Sequence, residues 1–225
     1  MGVIASAAAP RWKSASVWLL YLVGLAPAAW QFYLGATGNL GADPVKTFEL
    51  FLGLWAVRFL ILTLAVSPVR ELFGLNLIRY RRALGLLCFY YALMHFSAYL
   101  VLDQRLMISA VVADVTKRPF IMLGMAALTL LVPLALTSNA YSIQRLGRNW
   151  TRLHKLVYLI AVLGALHFSL ATKVLSAEQY LYFSAIALLL GYRVVRPYLK
   201  ARRKNRRAQA ARPRPAAREA RQSAS

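Results

Sequence analysis

Six apolar stretches recur along this chain, at residues 17–34, 50–66, 83–102, 120–137, 153–171 and 180–195. A helix that crosses the hydrocarbon of a bilayer takes about 20 mainly apolar residues, and each stretch comes close to one such span. Apolar residues make up 60% of the 225 and charged residues 16%, whereas a soluble domain averages roughly 45–50% and roughly 25%. A soluble enzyme is therefore excluded, and the short connections leave no room for a globular domain. The first stretch follows Arg11 and Lys13, as in a signal peptide. Its apolar run is longer than the usual segment of about 7–15 residues, and no small-x-small site follows. It reads as a retained helix. The expected fold class is all-α, a polytopic membrane protein with six transmembrane helices.

Charge placement orients those helices. The chain carries 28 Lys+Arg against 7 Asp+Glu, a formal charge of +21. With the N-terminus in the cytoplasm, twenty-two basic residues fall inside and five fall outside, with Arg58 left within a span. That asymmetry obeys the positive-inside rule and puts both termini in the cytoplasm. Five of the seven acids, Asp43, Glu49, Asp103, Asp114 and Glu178, fall outside. The tail from Arg196 onward holds eleven basic residues and one acid. It has the composition of a disordered segment, suited to anionic lipid. It lacks the aromatics that stack on bases, so nucleic acid is not its expected partner. The domains expected are a cytoplasmic N-terminus at 1–16, a six-helix transmembrane domain at 17–196 and a basic cytoplasmic tail at 197–225.

The chemistry lies with three histidines, His95, His154 and His167, each within an apolar stretch or at its edge. Ionisable groups in a membrane are expensive and tend to be functional. The plain alternative for any one of them is a helix–helix hydrogen bond. His95 lies 12 residues beyond Ala83 and His167 lies 14 beyond Leu153, about 18 and 21 Å along their helices at 1.5 Å per residue. Both helices run from cytoplasm to outside, so the two imidazoles stand level in the outer half. Level histidines on neighbouring helices suit the two axial positions of a haem iron. His154 falls near the cytoplasmic end. It precedes His167 by 13 residues, about 140° short of full turns, so the pair shares one face only if the helix is distorted. Gly164 permits such a distortion.

Arg58 sits mid-span, where the cost is about 2.5–3.5 kcal/mol on insertion scales. No Asp or Glu occurs in any apolar stretch. An anionic cofactor group would neutralise it, and snorkelling or backbone carbonyls would serve equally. Cys88 reads as a small buried hydrophobe. As the single cysteine it excludes an internal disulfide and Cys-based zinc or iron–sulfur sites. Pro133 ends or kinks the fourth helix.

The segments RRALGLLCFYYALMHFSAYL around His95, LTLAVSPVR after Arg58, and LTSN followed by LGRNWTRLHKLVYL and ALHF resemble the ferric reductase-like transmembrane family. The likeness runs over roughly residues 18–198. Within that family it is to the haem-binding membrane subunits of bacterial methionine sulfoxide reductase systems. The resemblance implies six helices in the bacterial inner membrane, haem b, and FMN as a second cofactor. It implies electrons drawn from the quinone pool and passed to a periplasmic molybdopterin enzyme that reduces methionine sulfoxide in oxidised proteins. By position, the family's haem histidines fall on His95, His154 and His167, with Arg58 as a further cofactor-binding candidate. NADPH oxidases of the same family carry two histidines on each of two helices. Here the expected partner of His154 is Arg81 or Arg82, and arginine does not normally ligate iron. No FAD/NADPH domain follows the sixth stretch, so a quinol or a separate reductase is the expected donor.

The leading expectation is thus an electron-transfer subunit with no complete catalytic site of its own. The alternatives are a ferric or oxygen reductase-type cytochrome b fed by a separate flavin reductase, and a cofactor-free transporter or assembly factor.

Overall fold

The computed structural model describes residues 11–172 and 176–210. The first ten residues of the expected N-terminus, Lys173 from the charge count, and residues 211–225 of the expected tail lie outside the described residues. All regular structure among the described residues is helical. The chain divides into two compact units, Met1–Ile186 and Ala187–Ser225, and the site discussed below lies wholly in the first.

Helix α1 (Arg11–Ala36) carries Pro27 in its interior. A proline removes one hydrogen bond of the ladder and strains its neighbourhood. Beside it the fully buried Tyr91 slots its hydroxyl into the next rung, accepting from the Ala28 N–H (3.1 Å) and donating to the Gly24 carbonyl (2.8 Å). Helix α2 (Pro44–Phe73) begins with proline at its first position. The Asp43 side chain accepts from the Lys46 N–H, and Gly74 closes the helix at φ 74°. Proline at the start and a left-handed glycine just past the end are the favoured termini. A 3₁₀ turn (Ile78–Tyr80) leads into α3 (Arg81–Ala98), which finishes in a π turn over Tyr99–Asp103.

Next come α4 (Ile108–Lys117), α5 (Pro119–Leu136), α6 (Ala140–Leu146), α7 (Arg148–Leu153), α8 (Leu156–Leu170) and α9 (Ala177–Ala210). The two most extensive contacts pair α2 with α3 and α5 with α8. Tyr91, Leu52, Leu64 and Leu87 are the largest fully buried side chains among the described residues. Much of the remaining apolar surface is exposed, as on Trp18, Leu22, Phe73 and Leu188, which is what helices facing lipid present.

Five of the described helical segments are long and apolar enough to cross a membrane. They correspond to the first five expected stretches, and the sixth falls within α9. Residues 197–210, assigned to the tail, continue α9. Two features depart from expectation. The connection between the third and fourth stretches contains α4, a ten-residue helix too short to register as a span. The fifth stretch is not one continuous helix: α7 ends at Leu153 and α8 begins at Leu156. At this break the bonds shorten to three residues, Lys155 N–H to Arg152 O and Tyr158 N–H to Lys155 O, the tighter 3₁₀ pattern. The break falls next to His154 rather than at Gly164.

Candidate functional site

Near the N-terminal ends of α2 and α5, the first unit encloses a cavity of about 450 Å³. Its wall includes His95 from the last turn of α3 and His167 from the last turn of α8. The two histidines paired in the sequence reading thus stand on one cavity wall. Their ring centroids are 6.1 Å apart and their planes cross at 71°. Metal–imidazole bonds run about 2.0–2.1 Å, on the evidence of zinc, so two imidazoles on opposite sides of one metal place their centroids about 6 Å apart. The observed spacing fits.

Each ring is held in the same way. His95 Nδ1 lies 2.8 Å from the Glu49 carbonyl oxygen, and His167 Nδ1 lies 2.6 Å from that of Phe120. A carbonyl only accepts, so Nδ1 carries the proton in both rings. Nε2 is left with its lone pair and with no hydrogen-bond partner among the described residues. A carbonyl bonded to the far ring nitrogen in this way orients a histidine for metal ligation.

The close approach requires glycine. Four residues after each accepting carbonyl stands a glycine, Gly53 after Glu49 and Gly124 after Phe120. A Cβ on Gly53 would lie 3.3 Å from His95 Nδ1, and one on Gly124 would lie 2.8 Å from His167 Nδ1 and Cε1. The two half-sites, α2 with α3 and α5 with α8, thus repeat one device: an imidazole seated on a helical glycine and bonded to the carbonyl one turn before it. Sequence reasoning missed both glycines. Their signal is an isolated Gly within a strongly apolar helical run, which lowers helix propensity and calls for a packing reason.

The floor of the cavity is apolar, with Leu60, Leu128, Leu131 and Ile160, and Cys88 lies in its wall. The rim is charged: Asp43, Lys46, Asp103 and Arg118 line it and are exposed. An apolar pocket with two facing imidazoles and a charged rim suits a flat, largely apolar macrocycle carrying polar groups on one edge. The donor set therefore fits a haem.

His154 stands apart and does not line this cavity. Thr137 Oγ1 donates to the Pro133 carbonyl (2.6 Å), so it accepts from His154 Nε2–H at 3.1 Å. The ring stacks on Trp150 at 4.0 Å, and Trp150 Nε1 donates to the Thr137 carbonyl (2.9 Å). These bonds clamp the break before α8 to the C-terminal end of α5.

Arg58 also lies off the cavity wall. The expectation that no carboxylate reaches it is corrected by an ion pair. Its Nη2 lies 2.9 Å from Glu178 Oε1, its Nε donates to Tyr182 Oη (2.8 Å), and Tyr182 donates to the same carboxylate (2.8 Å). The guanidinium lies over the Trp55 ring at 5.0 Å. Helical side chains lean toward the helix N-terminus, so Arg58 reaches back along α2 to a carboxylate just ahead of the sixth apolar stretch. The search for a partner within the stretches passed over Glu178 for that reason. Glu178 itself is held below the usual carboxylate range by the bonds from Tyr182 and Arg58.

Apolar helices of membrane-spanning length around an inward-facing histidine pair define a transmembrane redox-type bundle, and known proteins agree. Residues 52–165 match the family of ferric reductase like transmembrane components. Proteins from Brucella ovis, Brucella canis and Brucella melitensis, each named "Protein-methionine-sulfoxide reductase heme-binding subunit MsrQ", are 60% identical to this chain over 193 residues, 86% of either chain. No solved structure matches. The chain belongs to the ferric reductase-like transmembrane family, in its MsrQ branch.

Proposed function

We propose that this chain is a membrane-embedded electron-transfer subunit in which His95 and His167 ligate one haem b iron from opposite sides. The observation that carries this reading is the matched pair of imidazoles 6.1 Å apart, each with Nδ1 bonded to a backbone carbonyl. The heme-binding function in the names of the Brucella relatives supports it.

Bound between the two rings, a haem supplies a one-electron carrier whose potential is set by its axial ligands and surroundings. The chain does the rest. The Glu49 and Phe120 carbonyls hold the imidazoles in the ligating tautomer and raise their basicity. Gly53 and Gly124 admit the rings to the helix backbones. Leu60, Leu128 and Ile160 keep water from the inner face of the cavity.

Electrons come from the quinone pool, with FMN as a second carrier, and enter near His154 on the cytoplasmic side. Imidazole suits proton-coupled quinol chemistry, since its ordinary pKa is about 6.5. They leave at the outer end, where α2 and α5 begin, to a periplasmic molybdopterin enzyme that reduces methionine sulfoxide in oxidised proteins. The protein lies in a bacterial inner membrane with both termini cytoplasmic. The apolar part of α9 is the sixth span, so 1–16, 17–196 and 197–225 are terminus, membrane domain and tail. The distribution of basic residues supports this orientation.

The donor is tested by adding a quinol to the oxidised, purified protein in lipid discs. Reduction seen in the haem absorption bands supports quinol entry. A haem that responds only to a flavin reductase with reduced FMN assigns the donor to flavin instead.

A further inference from the structure

We propose that Lys46 and Arg118 are a paired clamp for the two carboxylates of the tetrapyrrole, setting both its orientation and its retention. The inference rests on the haem reading above and adds to it the residues that grip the cofactor's polar edge.

Lys46 lies in the first turn of α2 and Arg118 caps the start of α5, so they flank the cavity from its two half-sites. Lys46 precedes Gly53 by seven residues and Arg118 precedes Gly124 by six. At 1.5 Å per residue the two cations stand about 9–11 Å along their helices from the glycine seats, at nearly equal heights. A haem held on edge between the histidines presents its two propionates together on one side. Two cations at one height on opposite walls match that edge.

The rim carries both signs, with Asp43, Glu49 and Asp103 lining the cavity beside Lys46 and Arg118. The acids there are already committed. Asp43 Oδ1 caps α2 by accepting the Lys46 N–H, and Asp103 Oδ2 accepts from Gln104. Asp114 accepts from Tyr99 and Gln104 and pairs with Arg118 Nε at 3.4 Å. The cations are committed only in part, Arg118 through Nε alone. The Lys46 ammonium and the two terminal nitrogens of Arg118 have no partner among the described residues. Glu49 is the one acid left over, with a buried Oε1 that lacks a partner, and it lies three residues deeper on α2 than Lys46. The N-terminal ends of α2 and α5 add a positive field at the same rim, which favours anions. Arg118 also offers the planar fork that binds a carboxylate with two hydrogen bonds.

The test follows haem loss from the full-length protein, purified with its haem in lipid discs, to excess apomyoglobin. Lys46→Gln and Arg118→Gln are each expected to speed release about tenfold, the scale of one charge-assisted hydrogen bond. Lys46→Arg is expected to release haem nearly as slowly as the unaltered chain, and Arg118→Lys at a rate between those of the unaltered chain and Arg118→Gln. Haem dimethyl ester, loaded into protein produced without haem, is expected to leave faster than haem and at the same rate from the Gln variants as from the unaltered chain. Equal retention of haem by the Gln variants would overturn the proposal. So would equal acceleration of haem and ester, which signals a loosened bundle, or a difference seen only in anionic-lipid discs, which assigns the cations to lipid headgroups. If the unaltered chain binds neither haem nor ester, or His95→Ala binds haem as well, the haem reading itself fails.

Discussion

Gly124 stands where any side chain would collide with His167: a Cβ there would lie 2.8 Å from both Nδ1 and Cε1 of the imidazole. No real Cβ tolerates that distance, and the ring cannot retreat without giving up its 2.6 Å bond to the Phe120 carbonyl. The equivalent contact at Gly53 and His95 is looser, at 3.3 Å. The helix that carries each glycine therefore positions a histidine on another helix.

This asymmetry gives the first prediction. Gly124→Ala is expected to cost about 1–3 kcal/mol, the usual range for overpacking, and to lower the haem content of the purified protein. Gly53→Ala should do less on both counts. Haem per chain and thermal unfolding in detergent, measured on both variants, decide it. Equal and negligible effects would mean that the rings do not rest on these glycines.

The second prediction concerns Arg58 and Glu178. Because Arg58 is paired and lies off the cavity wall, Arg58→Leu is expected to keep a normal haem spectrum. Glu178→Gln should cost up to about 1 kcal/mol at pH 7, the range of a partly exposed ion pair. The sign of its pH dependence follows from the lowered pKa of Glu178. The pairing contributes fully above the ordinary carboxylate value of 4.5 and is lost as the pH falls through the lower folded value. The difference between the melting curves of the native and Gln proteins should narrow from pH 7 to pH 4 and vanish only below the folded value. Loss of haem from Arg58→Leu would return that residue to a cofactor role.

The third prediction separates His154 from the pair of His95 and His167. It lies 13 residues before His167, about 20 Å along the chain's helical path, and its Nε2–H is bonded to Thr137. His154→Ala is expected to retain the haem held by His95 and His167 while losing quinol-driven reduction. Thr137→Val, which removes the hydroxyl that accepts from His154 and donates to Pro133, should leave haem content unchanged and cost about 1–3 kcal/mol of stability. Complete loss of haem in His154→Ala would make it a principal ligand.

The parts of this architecture that depend on composition and periodicity were legible in the sequence. Apolar length marked the first five spans, and counting residues from the helix starts put His95 and His167 at one height. The glycine seats were not legible. Each joins a glycine on one helix to a histidine on another, Gly53 with His95 and Gly124 with His167, and a glycine four residues after a carbonyl has no pattern of its own. The pairing of Arg58 was hidden because its partner Glu178 lies outside the apolar stretches, and only the lean of the side chain along α2 joins them. His154 looked out of phase with His167 on an ideal helix. The turn between α7 and α8 interrupts the helix beside His154, at a place marked by neither glycine nor proline.

The central claim is that His95 and His167 share one haem iron. Reduced-minus-oxidised visible spectra of the purified protein, His95→Ala and His167→Ala test it most directly, with membrane insertion checked for each. The account predicts a b-type haem spectrum in the unaltered chain and its loss from either variant that still inserts. A colourless native protein, or a full six-coordinate haem signal in either variant, would contradict it.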